Sequence, residues 1–135
     1  MLTALILVLA SIQPAGYVSV FLSYSSADER VAGYISAELK AEGCRVWDYR
    51  DKAKPGDDWR EKVEMAIDEA SIVVVLISAA SVKSEYTRDE WAYARLAKKR
   101  IVAIPLGSAR VPMIVARFVW VVDSKNIRAL CKGGK

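Results

Sequence analysis

The chain has 135 residues, enough for one domain that buries its own core without disulfide or metal staples. With 53% hydrophobic and 27% charged residues it has the balance of a folded protein, which excludes a disordered segment. The net charge of +4 is too small to imply nucleic-acid binding, and no nucleic-acid partner is expected. The charge is unevenly spread: residues 1–27 carry none, and residues 28–94 lean acidic. From Arg95 onward ten Lys and Arg face a single acid, Asp123. Such a basic end can meet an acidic partner, phosphates or a membrane surface, or simply form solvated helix faces and a tail.

Histidine is absent, which rules out a Ser–His or Cys–His nucleophile pair and argues against a zinc or non-haem iron site. Cys44 and Cys131 fit neither zinc spacing nor a disulfide framework, which points to a reducing compartment and a cytoplasmic chain. No glycine-rich phosphate loop follows a strand, so neither a Walker A nor a dinucleotide fingerprint is present. Any enzyme built on this chain works with carboxylates, hydroxyls and aromatics, and no metal or cofactor is expected.

Residues 1–16 form an apolar N-terminal segment. Leu2 to Ile12 is uncharged and shorter than the roughly 18–20 residues a membrane-spanning helix requires. It lacks the positive stretch of a secretory signal, although Ala10-Ser11 suits a cleavage site. Three readings stay open: an apolar element packed on the domain or a partner, a membrane or signal role, and a misassigned start. Pro14-Ala15-Gly16 ends the segment, and the domain is expected over 17–131, followed by a basic tail, 132–135.

Val18 to Tyr24 is a β-forming apolar run between Gly16 and Ser25-Ser26, a buried strand. Ser26 with Glu29 has the form of a capping box and opens a helix with Val31, Tyr34, Ile35 and Leu39 at helical spacing. Gly43 stops it. Cys44 to Tyr49 reads as a second strand, and Arg50 to Asp57 as a polar loop holding the turn pair Pro55-Gly56. Asp58, with Glu61 three residues on, caps a helix that lines Trp59, Val63, Ala66, Ile67 and Ala70 on one face. Ile72 to Ile77 is six consecutive Val, Ile and Leu residues, a central strand buried on both faces. After the small-residue stretch Ser78 to Ser81, a helix runs from Ser84 to about Lys99. Ile101 to Leu106 and Phe118 to Val122 are further strands, and Asn126 to Cys131 a short closing helix.

About five strands alternating with helices predict a flavodoxin-like, doubly wound parallel sheet with helices on both faces. Ligands of such sheets bind beyond the carboxyl ends of the strands. Those ends lead into Ser23-Tyr24-Ser25, Asp48 to Gly56 and Ser78 to Tyr86.

Phe21-Leu22-Ser23-Tyr24-Ser25 followed by Asp28 resembles the first strand and loop of TIR (Toll/interleukin-1 receptor) domains. Gly43 to Asp48, Pro55-Gly56 and Trp59 resemble their second strand, BB loop and next helix. Val73 to Ser78, then Ser84, Tyr86 and Glu90, resemble the third strand and the helix carrying the catalytic glutamate. The order and spacing hold over about 85% of the chain, so the resemblance rests on the combination and not on any single piece.

Some TIR domains are scaffolds that recruit other TIR domains in immune signalling. Others, bacterial, plant or of the axon-degeneration type, cleave NAD at the nicotinamide–ribose bond and need a glutamate four residues after an aromatic, usually Trp. Tyr86 and Glu90 stand at that spacing here, with Tyr departing from the usual Trp. Residues i and i+4 share a helical face, so both can point into one pocket. The resemblance thus implies an NAD glycohydrolase, or an ADP-ribosyl cyclase, in a cell-suicide or antiphage response. The alternative is a catalytically silent adaptor or decoy that binds other TIR domains.

In the enzyme reading Glu90 orients the ribose and stabilises positive charge, while Tyr86 and Trp59 hold flat rings. Tyr24, Ser25, Asp48 and Ser84 complete the substrate contacts, although Asp48 equally suits pairing with a nearby Lys or Arg. Lys52, Lys54, Pro55 and Gly56 are expected to mediate self-association with neighbouring TIR domains. Trp47, Trp91 and Trp120 are expected to be structural.

Overall fold

A computed structural model describes residues 18–48, 58–116, 119–121 and 124–132. The expected N-terminal segment and the loop holding Lys52, Lys54, Pro55 and Gly56 lie outside the described residues. Five strands, β1 (Ser19–Ser23), β2 (Arg45–Trp47), β3 (Ile72–Ile77), β4 (Arg100–Pro105) and β5 (Val119–Val121), form one parallel sheet in the order β2-β1-β3-β4-β5. The chain reverses direction across the sheet between β1 and β3, and the crevice beyond their carboxyl ends is the usual ligand position for this topology.

β3 is apolar and buried at every position because helices cover both faces of the sheet. One face carries Val20, Leu22, Tyr24, Val74 and Leu76 under α1 (Glu29–Ala41) and the closing 3-10 helix (Ser124–Cys131). The other carries Phe21, Val73, Val75 and Ile77 under α2 (Trp59–Glu69) and α4 (Glu85–Leu96). Two short helices, α3 (Ala79–Lys83) and α5 (Met113–Ala116), and a 3-10 turn, Ser26–Asp28, complete the described elements.

Several local details differ from expectation. Ser25, not Ser26, caps the first turn, its Oγ accepting from Ala27 N–H at 3.3 Å, and the turn is 3-10 over Ser26–Asp28 before α1 begins. Asp28 precedes α1 without capping it; its carboxylate accepts from Ser78 Oγ at the carboxyl ends of β1 and β3. The buried side of α1 is Ala32, Ile35, Ser36 and Leu39, while Val31 and Tyr34 are exposed. Gly43 ends the helix with φ +95°, a conformation that costs a residue with a Cβ. Ser78 to Ser81, read as a plain small-residue stretch, starts α3: the Ser78 and Ser81 hydroxyls each accept the other's backbone N–H in a reciprocal cap.

The cysteines overturn the sequence reading outright. Cys44, at the entrance to β2, and Cys131, at the end of the chain's last helix, are joined in a disulfide with Cα atoms 5.3 Å apart. Eighty-seven residues separate them in sequence, so nothing local in the chain announces the pairing. The expectation of a reducing compartment, which rested on unpaired thiols, loses its basis. Among the described residues no helix is long and apolar enough to cross a membrane.

Candidate active site

Glu90 lies in the second turn of α4 and is only 8% exposed. Ser84 starts that helix as its N-cap, accepting from Thr87 N–H at 3.4 Å. Thr87 and Trp91 turn inward beside Glu90, so the carboxylate is carried against the sheet. There Ser23, the last residue of β1, donates its hydroxyl to Glu90 Oε1 at 2.8 Å. The indole Nε1–H of Trp91 donates to the same Ser23 oxygen at 3.1 Å. Ser23 and Trp91 are both fully buried.

Burial is the main influence on the Glu90 carboxyl and pushes it up to about 7. The Ser23 hydrogen bond opposes this by favouring the charged form, and the neighbouring Asp89 charge adds to the rise. A carboxyl poised near neutrality beside a cavity is the pattern of a functional group more than of a structural one.

The cavity itself is a groove of about 360 Å³ between α2 and α4, and Glu90 is part of its lining. Tyr86, Asp89, Glu90, Tyr93 and Leu96 enter it from one face of α4, and Trp59, Arg60, Val63 and Glu64 from α2. Aromatic walls with a few charged groups suit a ligand with flat rings. Trp59 is half-buried at the first turn of α2, 6.3 Å from the Trp47 ring, which in turn stacks on Phe21 at 5.1 Å. Tyr86 is 69% exposed, so its ring stands at the mouth.

The structure therefore brings Glu90, Tyr86 and Trp59 together and leaves other expected contacts elsewhere. Tyr24 is fully buried on the opposite face of the sheet, where its hydroxyl donates to Asp48 Oδ1 at 2.9 Å. Asp48 is buried there with it and accepts this tyrosine hydrogen bond on the side of the sheet away from the groove. Ser25 and Ser84 hold helix starts, and neither lines the groove.

Ser23 and Trp91 were not singled out by spacing, yet the strand carries the signal. Successive side chains of a strand alternate faces, so Ser23 shares the side of Phe21, and Tyr24 that of Leu22. Arg60, Glu64, Asp89 and Tyr93 also line the groove without any motif to mark them.

The family model for the TIR domain matches residues 20–129. The chain belongs to the TIR domain family. No curated protein matches its sequence. Among solved structures, it is similar to the TIR domain of the Toll-related receptor TRR-2 from Hydra magnipapillata, at 18% identity and a TM-score of 0.69. That match covers 87% of this chain and 91% of the other. A 2-deoxyribosyltransferase from Bacillus psychrosaccharolyticus aligns at 11% identity and a TM-score of 0.71, over 85% and 96% of the two chains. The CMP N-glycosidase BcmB from Clostridium botulinum aligns at 16% identity and a TM-score of 0.60, over 82% and 96%. At these identities the likeness is one of fold.

Proposed function

We propose that this TIR domain is an NAD glycohydrolase that cleaves the nicotinamide–ribose bond. The observation that carries the reading is the placement of Glu90: a buried carboxyl near neutrality, lining a groove with Tyr86 and Trp59. Two proteins of similar fold have names that denote work at nucleoside N-glycosidic bonds, an N-glycosidase and a deoxyribosyltransferase.

The chemistry fits the residues present. When the C1′–N1 bond breaks, its electron pair moves onto the ring nitrogen and cancels the pyridinium charge. Nicotinamide then leaves neutral and needs no general acid. The positive charge passes to the ribosyl centre, where an ionised Glu90 stabilises it in a low-dielectric setting. Water adds to C1′ and releases its proton to solvent, giving ADP-ribose; addition of the substrate's own adenine nitrogen instead gives the cyclic isomer. Tyr86 and Trp59 hold the flat rings. No metal or further cofactor takes part.

The setting we infer is an immune cell-suicide or antiphage response in which copies of the domain associate. Lys52, Lys54, Pro55 and Gly56 form the loop through which neighbouring copies meet. The direct test incubates the purified protein at high concentration with NAD and assays nicotinamide release. Steady release supports the reading, and none at any protein concentration refutes it.

A further inference from the structure

Glu90 owes its geometry to two residues that do not line the groove. Ser23 ends β1 and pairs with Val75 of the central strand, so its backbone is held in the sheet ladder. Its hydroxyl has one proton to give and lone pairs to accept with. An indole N–H can only donate, so Trp91 must bond to a lone pair of Ser23 Oγ. The hydroxyl proton is thereby left for Glu90 Oε1, which as a carboxylate oxygen can only accept. Each bond fixes the direction of the next.

We propose that Ser23, itself oriented by Trp91, is the positioning residue of the site. It anchors Glu90 Oε1 against the sheet and leaves the other carboxylate oxygen for the groove. Among the described residues, Ser23 is the one hydrogen-bond partner that the Glu90 side chain has. Both Ser23 and Trp91 are fully buried, so water cannot take over when either polar atom is removed. The relay also supports ionisation, because a bond donated to the charged form favours it.

The assignment rests on the glycohydrolase reading for its catalytic consequence, but the anchoring can be read without activity. The midpoint of Glu90 is followed by side-chain ¹³C NMR in the full chain, with Tm measured on the same samples. Charged and titratable groups around it are Asp89, Tyr86 and Tyr93 on its own helix and Arg60 and Glu64 on α2, all unchanged in the variants. Loss of a hydrogen bond to a charged group corresponds to about one pH unit.

Ser23→Ala should therefore raise the Glu90 midpoint by about one pH unit, and Trp91→Phe should raise it by less. Ser23→Thr, which keeps the hydroxyl, should restore it. With NAD, the acidic limb of kcat/KM should move by the same amount, and kcat should fall more than KM changes. A midpoint that stays put in both folded Ser23→Ala and folded Trp91→Phe overturns the relay. Wild-type protein that releases no nicotinamide overturns the glycohydrolase reading instead, while the NMR midpoints still decide on Ser23.

Discussion

Tyr24 Oη donates to Asp48 Oδ1 at 2.9 Å, tying the end of β1 to the end of β2 on the side of the sheet away from Glu90. Tyr24→Phe keeps the buried ring and removes this donor from a buried carboxylate. The expected cost is about 1–2 kcal/mol of stability, seen as a lower Tm, with nicotinamide release per folded molecule near the wild-type value. A loss of kcat/KM at unchanged Tm would place Tyr24 at the substrate instead.

The Glu90 carboxyl, near 7 in the folded protein against an ordinary 4.5, couples activity and stability to pH in opposite senses. Only its ionised form stabilises a ribosyl cation, so nicotinamide release should rise from pH 6 to pH 8 with a midpoint near 7. The native state holds this proton more tightly than the unfolded chain does. Its contribution to stability is thus full below about 4.5 and is lost as the pH rises through 7. The loss is on the order of 3 kcal/mol. Denaturant unfolding at pH 5 and pH 8 should show wild type losing more stability with rising pH than Glu90→Gln does. An equal pH dependence in the two proteins would contradict this.

Tyr86 projects into the groove mouth and is largely exposed, so it can be changed without touching the core. Tyr86→Ala should raise KM for NAD by about 3- to 10-fold, the worth of one ring contact, with stability within about 0.5 kcal/mol of wild type. Tyr86→Trp should match or lower the wild-type KM. Unchanged KM in both variants would remove Tyr86 from the site.

The Cys44–Cys131 bridge links the entrance of β2 to the closing 3-10 helix and restricts a long loop of the unfolded chain. Reduction, or Cys131→Ser, should cost about 2–5 kcal/mol and lower Tm by about 10 °C or more. Because the bridge lies on the face opposite Glu90, activity of the molecules that remain folded should persist. An unchanged Tm on reduction would contradict a stabilising bridge.

What was legible in the sequence divides along physical lines. Ile72 to Ile77 is apolar at every position because both faces of β3 are covered, and such a run can hardly be misread. The Asp58 cap and the Gly43 stop are local signals, and both stand where they were read. In α1 the helical spacing held and Ile35 and Leu39 are buried as expected, but Ala32 and Ser36 pack beside them while the larger Val31 and Tyr34 face outward. Size is a weak guide to burial when a helix lies close against a sheet.

The site was legible in its helical half. Tyr86 and Glu90 share a helix, so four residues of spacing place them on one face. The other half depends on a contact across 67 positions, from Ser23 to Glu90, which no local pattern encodes. Strand alternation separates Ser23 from Tyr24, but only once β1 is known to be covered by different helices on its two faces.

The central claim is that the Glu90 carboxylate carries NAD cleavage, and Glu90→Gln tests it most directly because it keeps shape and removes charge. Nicotinamide release should be measured at pH 8 for both proteins at equal, high concentration, with Tm recorded alongside. The account predicts a loss of at least about 100-fold, the scale for removing one electrostatic stabiliser, with Tm at or above that of the wild type. Release by folded Glu90→Gln at a rate close to wild type would contradict it.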